Sequence, residues 1–323
     1  MIPLLILLQT TLTIAVAGPA TSPEYLPLRV AQAEGYFTAE QLNVTLQSTR
    51  AEATAAEALA RGQAALAATS LDAALTLGHD NGALPRLVFG FTAAPPVALL
   101  VSTAHKDSVR SVKDLLGKTI AVPAPGTSEH LLLLSLLARA RLRVPQVSLL
   151  SYGERGVAGA LESGQAVAGV VGDPYATRLI EEGKAIALVD MRARGEPARQ
   201  LGGPVVHAAL FARADTTLGV PELTPLARAL LRAVARIQAA TPEELAAKLP
   251  RTVVGSADDF AIRLRGAREI FLPDGWVSKD MLADSVALVR SRSPLPAEVA
   301  IPRGMAKLLL TDPLKQALDG KRP

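Results

Sequence analysis

The chain of 323 residues is long enough for two domains of ordinary size, each with its own hydrophobic core. Apolar residues make up 49% of the sequence and charged residues 20%, a globular balance that excludes wholesale disorder. The net charge of +4 comes from 34 basic and 30 acidic side chains scattered along the chain, without the basic run of a nucleic-acid surface. The sequence has no cysteine, which excludes thiol catalysis, zinc–thiolate sites, disulfides and a thioether-linked lipid anchor.

The first residues resemble the end of a secretory signal peptide. Residues 1–8 are almost entirely apolar, residues 12–17 form a second apolar run, and Ala15-Val16-Ala17 resembles a cleavage site. No basic residue precedes them, and the stretch is too short to cross a bilayer. We therefore expect residues 1–8 to be the tail of a signal peptide, with the mature chain starting near Gln9. An ordinary first strand with a frayed end is the alternative.

An internal repeat is the most informative feature of the sequence. Seven of ten positions are identical between residues 13–22 and residues 119–128. Two further matches follow in the same order at nearly the same spacing, so shared Ala and Val content does not account for the set. These matches pair residues 43–46 with 146–149 and residues 58–64 with 160–166. The sequence therefore predicts two copies of one structural unit.

Each copy predicts strands that alternate with helices. Continuous apolar, β-branched runs are typical of strands that are buried on both faces. Ser22 before Pro23 predicts a helix N-cap, and Gly35 predicts the end of that helix. The first copy is predicted to have strands at residues 12–17, 44–47 and 64–68, with helices from Ser22, at 53–61 and from Ser70. The second copy is predicted to have strands at 119–122, 147–150 and 166–171, with helices from Ser128, at 156–163 and from Asp173.

The remaining segments are predicted to connect and cover these two units. Alternating strands and helices predict parallel-rich sheets with right-handed crossovers, so we expect an α/β protein of two lobes with a cleft between them. The extended residues 93–102 and 204–212 predict two crossings that form a hinge. We place residues 10–96 and 205–323 in lobe 1 and residues 97–204 in lobe 2. A helical tail, predicted at residues 226–239, 243–249, 258–271, 279–290 and 312–318, is expected to cover lobe 1.

Four motifs resemble a known family. They are residues 31–37 followed by 40–44, residues 112–122, residues 126–130, and Gly172-Asp173-Pro174. Together they resemble the substrate-binding proteins of ABC importers for nitrate, sulfonates, taurine and thiamine-pyrimidine precursors. This nitrate/sulfonate/taurine family lies within the thiamine-pyrimidine-synthase-like superfamily. Gln41 stands where the family usually has Gly.

The resemblance implies a type II periplasmic-binding-protein fold and a transport function. The implied protein is periplasmic and captures a small organic ligand, anionic or zwitterionic, in the interlobe cleft. It delivers this ligand to the permease and ATPase of an ABC importer without catalysing a reaction. The resemblance implies no cofactor, and we expect a monomer that does not bind nucleic acid.

Two equivalent helix starts are the leading candidates for ligand contact. Gly126, Thr127 and Ser128 open a helix whose first N–H groups lack partners, and such an end can hold an anionic group. The repeat places Thr21 and Ser22 at the equivalent position in the other lobe. These residues can also be plain helix caps.

Further candidates follow from their position at strand ends. Ser70 and Thr92 come directly after predicted strands, and parallel sheets bind ligands beyond the carboxyl ends of their strands. Asp173 caps its helix and can also bind a ligand amine. Glu154 and Arg155 follow the strand at 147–150, so we expect one of them to face the cleft. His130 either contacts the ligand or packs.

The few aromatic residues indicate a ligand with a flat or apolar part. Aromatic residues make up only 3% of the sequence, yet Tyr25, Tyr152 and Tyr175 all fall just beyond strand ends. Tyrosines at ordinary surface edges are the alternative. Glu24 and Glu129, together with Glu154, argue against a simple inorganic anion such as nitrate.

Two other classes of protein are alternatives to a binding protein. An enzyme on the same two-lobed scaffold, similar to pyrimidine synthases or menaquinone-pathway enzymes, would turn its ligand over. The sequence shows no nucleophile elbow, phosphate loop or metal-binding histidine spacing. The effector domain of a transcription regulator would need a helix-turn-helix before the first strand. The first predicted strand lies close to Met1, so we do not expect this class.

Overall fold

The computed structural model describes residues 10–292 and 294–320. They form two five-stranded sheets, each flanked by helices, which confirms the predicted α/β class. The signal-peptide prediction for residues 1–8 lies outside the described residues. Within the described ranges, no helix combines the length and hydrophobicity that a membrane span requires.

The two sheets have the same strand order, as the internal repeat predicted. The first sheet runs β2-β1-β3-β10-β4 and the second β7-β6-β8-β5-β9. Their strands are β1 (Thr10–Val16), β2 (Leu42–Ser48), β3 (Leu66–Ser70), β4 (Arg86–Thr92), β5 (Val97–Ser102), β6 (Thr119–Val122), β7 (Ser148–Ser151), β8 (Ala168–Gly172), β9 (Ala185–Asp190) and β10 (Ala208–Ala212). The repeated segments at residues 13–22 and 119–128 thus lie on the equivalent strands β1 and β6 and the turns that follow them.

Both sheets are mixed, because the two crossing segments are themselves strands. β1 pairs in parallel with β2 and β3, and β6 pairs in parallel with β7 and β8. β10 runs antiparallel between β3 and β4, and β5 runs antiparallel between β8 and β9. Each segment that enters or leaves a lobe therefore adds a fully buried strand to that lobe's sheet, where the sequence predicted only an extended connection.

Helices cover both faces of the sheets. In the first lobe they are α1 (Leu26–Ala33), α2 (Tyr36–Ala39), α3 (Glu52–Ala60) and α4 (Leu71–Leu77). The second lobe has α5 (Ser128–Arg139), α6 (Gly153–Glu162), α7 (Tyr175–Glu181) and α8 (Glu196–Leu201). The tail has α9 (Val220–Ala239), α10 (Pro242–Ala246), α11 (Arg251–Val254), α12 (Ala257–Arg268), α13 (Lys279–Arg292) and α14 (Asp312–Asp319).

The prediction that Ser22 caps an α-helix beginning at Pro23 is wrong. Pro23–Tyr25 form a 3-10 turn, α1 begins at Leu26, and the Ser22 side chain makes no capping hydrogen bond. Pro27 explains the difference, because an α-helix from Pro23 would need the Pro27 N–H to donate to the Pro23 carbonyl. The Leu26 N–H closes a tighter turn on that carbonyl instead.

The tail packs on the first lobe, as predicted. The core of this lobe contains Phe89 and Phe91 from β4 together with Leu230 from α9 and Leu314 from α14. Two smaller apolar clusters lie on the faces of the second sheet. The tail therefore enlarges the first lobe's core.

Gln41 occupies a backbone conformation that favours glycine. Its φ of 59° lies in the left-handed region, in the turn between α2 and β2. The family resemblance gave Gly at this position, and the observed φ supplies the physical reason for that preference.

Candidate functional site

A cleft of about 550 Å³ lies between the two sheets and is lined by residues of both lobes. The turns after β1 and β6 form facing walls, and the first residues of α3, α5 and α6 complete the lining. The predicted residues that line the cleft are Thr21, Ser22, Tyr25, Gly126, Thr127, Ser128, Glu154 and Asp173. The structure thus brings the two repeated Thr-Ser pairs to one cavity.

Ser70 and Thr92 do not line this cleft. Both are fully buried at the ends of their strands, β3 and β4. Ser70 caps α4 by accepting from the Ala73 N–H, and its Oγ donates to Glu52 Oε2 at 2.8 Å. The Thr92 hydroxyl has no hydrogen-bond partner among the described residues. The topology behind these predictions is correct, but Glu52 lies between Ser70 and the cavity.

Three other predicted residues also lie outside the cleft lining. His130 Nδ1 accepts from the Gly126 N–H at 3.0 Å, so the ring folds back on its own helix start. Tyr152 and Tyr175 pack, partly buried, against an apolar cluster of the second lobe. Of the three tyrosines singled out from the sequence, Tyr25 is the one that the structure places in the cleft wall.

Glu52 is the central residue that sequence reasoning missed. It is the first residue of α3 and it accepts from Ser70 Oγ and from Ser128 Oγ, the latter at 2.9 Å to Oε1 and 3.0 Å to Oε2. Burial raises its pKa to about 7, against the lowering effect of these two hydrogen bonds. Glu52 therefore joins the two lobes at the base of the cleft.

Three more glutamates line the cleft. Burial raises the pKa of Glu24 to about 8, and the nearby carboxyls of Glu52, Glu129 and Glu154 add to the rise. Burial and the neighbouring Glu129 also raise the pKa of Glu154. Because these carboxyl groups are buried and lie close together, their pKa values are higher than those of isolated carboxyl groups.

Asp173 is held by the second lobe. Its Oδ1 accepts from the Thr177 N–H at 3.1 Å and from Thr177 Oγ1 at 2.8 Å, and it forms a buried ion pair with Arg192. Burial raises the pKa of Asp173 despite this pair. Its Oδ2 is buried and has no hydrogen-bond partner among the described residues. The predicted capping role and a free acceptor oxygen therefore coexist in one side chain.

The family is established by the sequence itself. The NMT1/THI5-like family matches residues 22–243, which is more than half of the chain. The chain belongs to the NMT1/THI5-like family. The matched residues run from the turn after β1, through the whole second lobe and α9, into α10 of the tail. No functionally curated protein matches the sequence significantly.

Solved structures share the fold along nearly the whole chain of this NMT1/THI5-like protein. A protein from Bordetella bronchiseptica RB50 has a TM-score of 0.76 and 26% identity, over 96% of this chain and 98% of that one. The periplasmic aliphatic sulphonate binding protein SsuA from Escherichia coli has a TM-score of 0.71 and 18% identity, over 93% of this chain and 91% of that one. The alkanesulfonate-binding protein SsuA from Xanthomonas axonopodis pv. citri, bound to MOPS, has a TM-score of 0.63 and 22% identity. The match covers 90% of this chain and 96% of that one.

The internal repeat could have identified Glu52 as a site residue. The register that pairs residues 58–64 with 160–166 also pairs Glu52 with Glu154, which was a predicted site residue. Both glutamates lie in the first turn of equivalent helices, α3 and α6. Arg50 and Arg263 also line the cleft and were not predicted. In the described part of the chain, no group of three metal-ligating side chains is placed to hold a metal ion.

Proposed function

We propose that this NMT1/THI5-like protein is an extracytoplasmic solute-binding protein of an ABC importer. It captures a small organic molecule in the cleft and hands it unchanged to the importer's permease and ATPase. The observation that carries the proposal is a cavity of about 550 Å³ lined by turns and helix starts from both lobes. This volume lies within the usual range for small-molecule sites. The periplasmic sulphonate-binding protein of similar fold supports the assignment.

Lobe closure is the mechanism that we assign to capture. Two chain segments cross between the lobes, so rotation about them can open and close the cleft. Glu52 and Ser128 meet across the base of the cleft, and Arg178 pairs with Asp259 across the lobes at 2.6 Å. A ligand held by both walls stabilises the closed arrangement, because it gains contacts that an open cleft does not offer.

The proposed ligand contacts are the eight predicted residues that line the cleft, joined by Glu24, Glu52 and Glu129. Tyr25 supports a ligand with a flat or apolar part, because its ring forms part of the wall and meets Phe91 edge-on at 6.1 Å. We place the protein in the periplasm as a monomer, consistent with capture followed by docking on a membrane complex.

The test is thermal unfolding against a panel of small organic compounds. A true ligand at about one hundred times its dissociation constant adds about 2.7 kcal/mol to the free energy of unfolding, which raises the midpoint by several degrees. The compound is then recovered and its mass compared with the starting material. A stabilising compound that is recovered unchanged supports the binding-protein function. No shift with any compound contradicts it.

An enzyme on the same scaffold is the second candidate. The pKa of about 7 for Glu52 favours it, because a carboxyl that titrates near neutrality suits general acid–base chemistry. Recovery of the compound separates the two candidates. Conversion that is lost in the Glu52→Gln variant would establish the enzyme.

A further inference from the structure

The hydrogen-bonding groups of the cleft are unevenly distributed between donors and acceptors. Ser128 Oγ donates to Glu52, and Thr127 Oγ1 donates to the Ala124 carbonyl at 3.0 Å. These hydroxyls at the start of α5 are therefore already engaged within the protein. The sequence favoured this helix start as an anion site, but its hydroxyl protons are directed to oxygen atoms of the protein itself.

Two buried polar groups of residues that line the cleft remain without partners, a tyrosine hydroxyl and a carboxyl oxygen. Tyr25 is 3% exposed, and its hydroxyl has no hydrogen-bond partner among the described residues. The Asp173 side chain is 3% exposed, and its Oδ2 is likewise unpaired within the described chain. The Asp173 oxygen is packed against Gly266 of α12, so the Tyr25 hydroxyl is the unpaired group that we assign to the ligand.

The helix starts that face the cleft already carry carboxyl groups. Glu52 is in the first turn of α3, Glu129 in that of α5 and Glu154 in that of α6. An acidic side chain at this position uses the positive end of the helix for itself. An anionic ligand would therefore meet carboxylates at each of these helix starts.

The two cleft arginines do not balance these acids. Arg263 donates to the Val254 carbonyl at 2.7 Å, and Arg50 is exposed. Five carboxyl side chains and two guanidinium groups line the cavity, and Asp173 is also paired with Arg192 behind the wall. Carboxyl groups therefore outnumber guanidinium groups in the cleft although the whole chain has a net charge of +4.

We propose that the cleft ligand is an organic cation, with a protonated amine or amidine held by Tyr25, Glu129 and Glu154. This inference rests on the proposed solute-binding function and names its substrate class. Ammonium and amidinium groups supply several N–H donors and no acceptor, which complements the carboxyl oxygens of the wall and the unpaired oxygen of Tyr25. The flat part of the ligand lies against the Tyr25 ring.

The titration of the cleft supports the same assignment. The pKa of Glu24 is raised to about 8 and that of Glu52 to about 7. A bound cation stabilises the ionised carboxylates, so binding is expected to expel protons and to strengthen from pH 6 to pH 9. An anion would produce the opposite trend, because it would bind best while the carboxyls are protonated.

The test compares probes of the same shape and opposite charge by titration calorimetry. The pairs are benzamidine with benzoate and pentylamine with pentanoate, each measured in two buffers of different ionisation enthalpy to count the protons released. We expect at least one cation to bind about tenfold or more tightly than its anionic partner, with proton release. Tighter binding of the anion in both pairs, or binding of neither cation at millimolar concentration, overturns the inference.

Charge-neutral variants locate the binding site. The double variant E129Q/E154Q should weaken the favoured cation about tenfold. E162Q is the matched control, because Glu162 lies on α6 as well but is exposed and faces Lys184 at 3.8 Å. Equal weakening by E162Q would contradict binding in the cleft.

These outcomes separate the charge inference from the proposed function. Binding of the anionic probes alone would overturn the cation assignment and leave the solute-binding function intact. Conversion of a bound cation would instead overturn the binding-protein function.

Discussion

Glu52 in the first lobe and Ser128 in the second are joined by hydrogen bonds of 2.9 and 3.0 Å across the base of the cleft. Ser70 Oγ donates a further hydrogen bond of 2.8 Å to the same carboxyl group. The contact links the start of α3 to the start of α5, which are the elements that wall the cavity. One side chain therefore both lines the proposed binding site and couples the two lobes.

Ser128→Ala should weaken the contact between the lobes. It removes a hydrogen bond to a carboxyl group, so we expect a loss of about 1 to 2 kcal/mol in the free energy of unfolding. The radius of gyration from small-angle scattering should increase as the cleft opens. Ser163→Ala is the control, because Ser163 bonds only to carbonyls of its own helix. Equal effects of the two variants on stability and shape would contradict the coupling role.

Arg292 should be far more important for stability than an exposed arginine. It donates to both carboxyl oxygens of Asp72 and to Ser135 Oγ of the second lobe, with about one tenth of each charged side chain exposed. Arg292→Ala leaves a buried charge without a partner, and we expect a cost of about 3 to 5 kcal/mol in urea unfolding.

Arg61→Ala is the matched comparison for the Arg292 variant. Arg61 pairs with Glu57 on the helix surface, where its side chain is 65% exposed. Its loss should cost less than about 1 kcal/mol. Similar values for the two variants would show that the Arg292 pair does not hold the tail to both lobes.

The ligand-free protein should lose stability as the pH rises from 6.5 to 8. Over this range the folded protein keeps protons on Glu24 and Glu52, whose pKa values are about 8 and 7, whereas an unfolded glutamate with a pKa of 4.5 has lost its proton. The folded state therefore binds more protons, and its stability falls by about 1.5 kcal/mol per pH unit on average over this range.

Histidine titration does not obscure this window. Burial lowers the pKa of His207 from 6.5 to about 4, so its effect is a gain in stability with pH, of which only about 0.4 kcal/mol remains above pH 6.5. Burial also lowers the pKa of His130, which acts in the same direction. Glu24→Gln should flatten the slope above pH 6.5, while the exposed control Glu162→Gln should leave it unchanged. A wild-type stability that rises from pH 6.5 to pH 8 would contradict the burial of these carboxyls.

Gln41→Gly should stabilise the first lobe. Gln41 has a φ of 59°, where a side chain other than glycine costs about 1 kcal/mol. Its side chain is exposed, so little packing is lost. Thermal unfolding should show a gain of up to about 1 kcal/mol. Gly62→Ala provides the reverse case, because Gly62 has a φ of 68°, and it should destabilise. A loss of stability in Gln41→Gly would contradict the strain.

The two-lobed fold could be predicted because the repeated segments form buried strands. Residues 12–17 and 119–122 are apolar and β-branched, and such runs predict strands irrespective of what surrounds them. The antiparallel insertion of β5 and β10 could not be predicted. Extended apolar segments look alike whether they connect sheets or enter them, and direction is decided by pairing with strands that are distant in sequence.

The site was predictable where it lies on the repeat. Thr21, Ser22, Thr127 and Ser128 line the cavity because their positions follow directly from strand ends. Glu52 was missed, since an acidic residue in a first helical turn has an ordinary role as a partner of the helix dipole. Its role at the base of the cleft depends on the hydrogen bond from Ser128 of the other lobe, a contact between residues far apart in the chain.

Native mass spectrometry of the full chain, after incubation with a small-molecule extract, is the most direct test of solute capture in the cleft. One small molecule should remain bound per chain and should be released with its mass unchanged. Ala53→Trp, which fills the cleft wall, should abolish the bound species, while Glu162→Trp on the surface should retain it. A wild-type protein that retains no small molecule, an Ala53→Trp variant that binds as before, or a ligand released with an altered mass would contradict the binding-protein function.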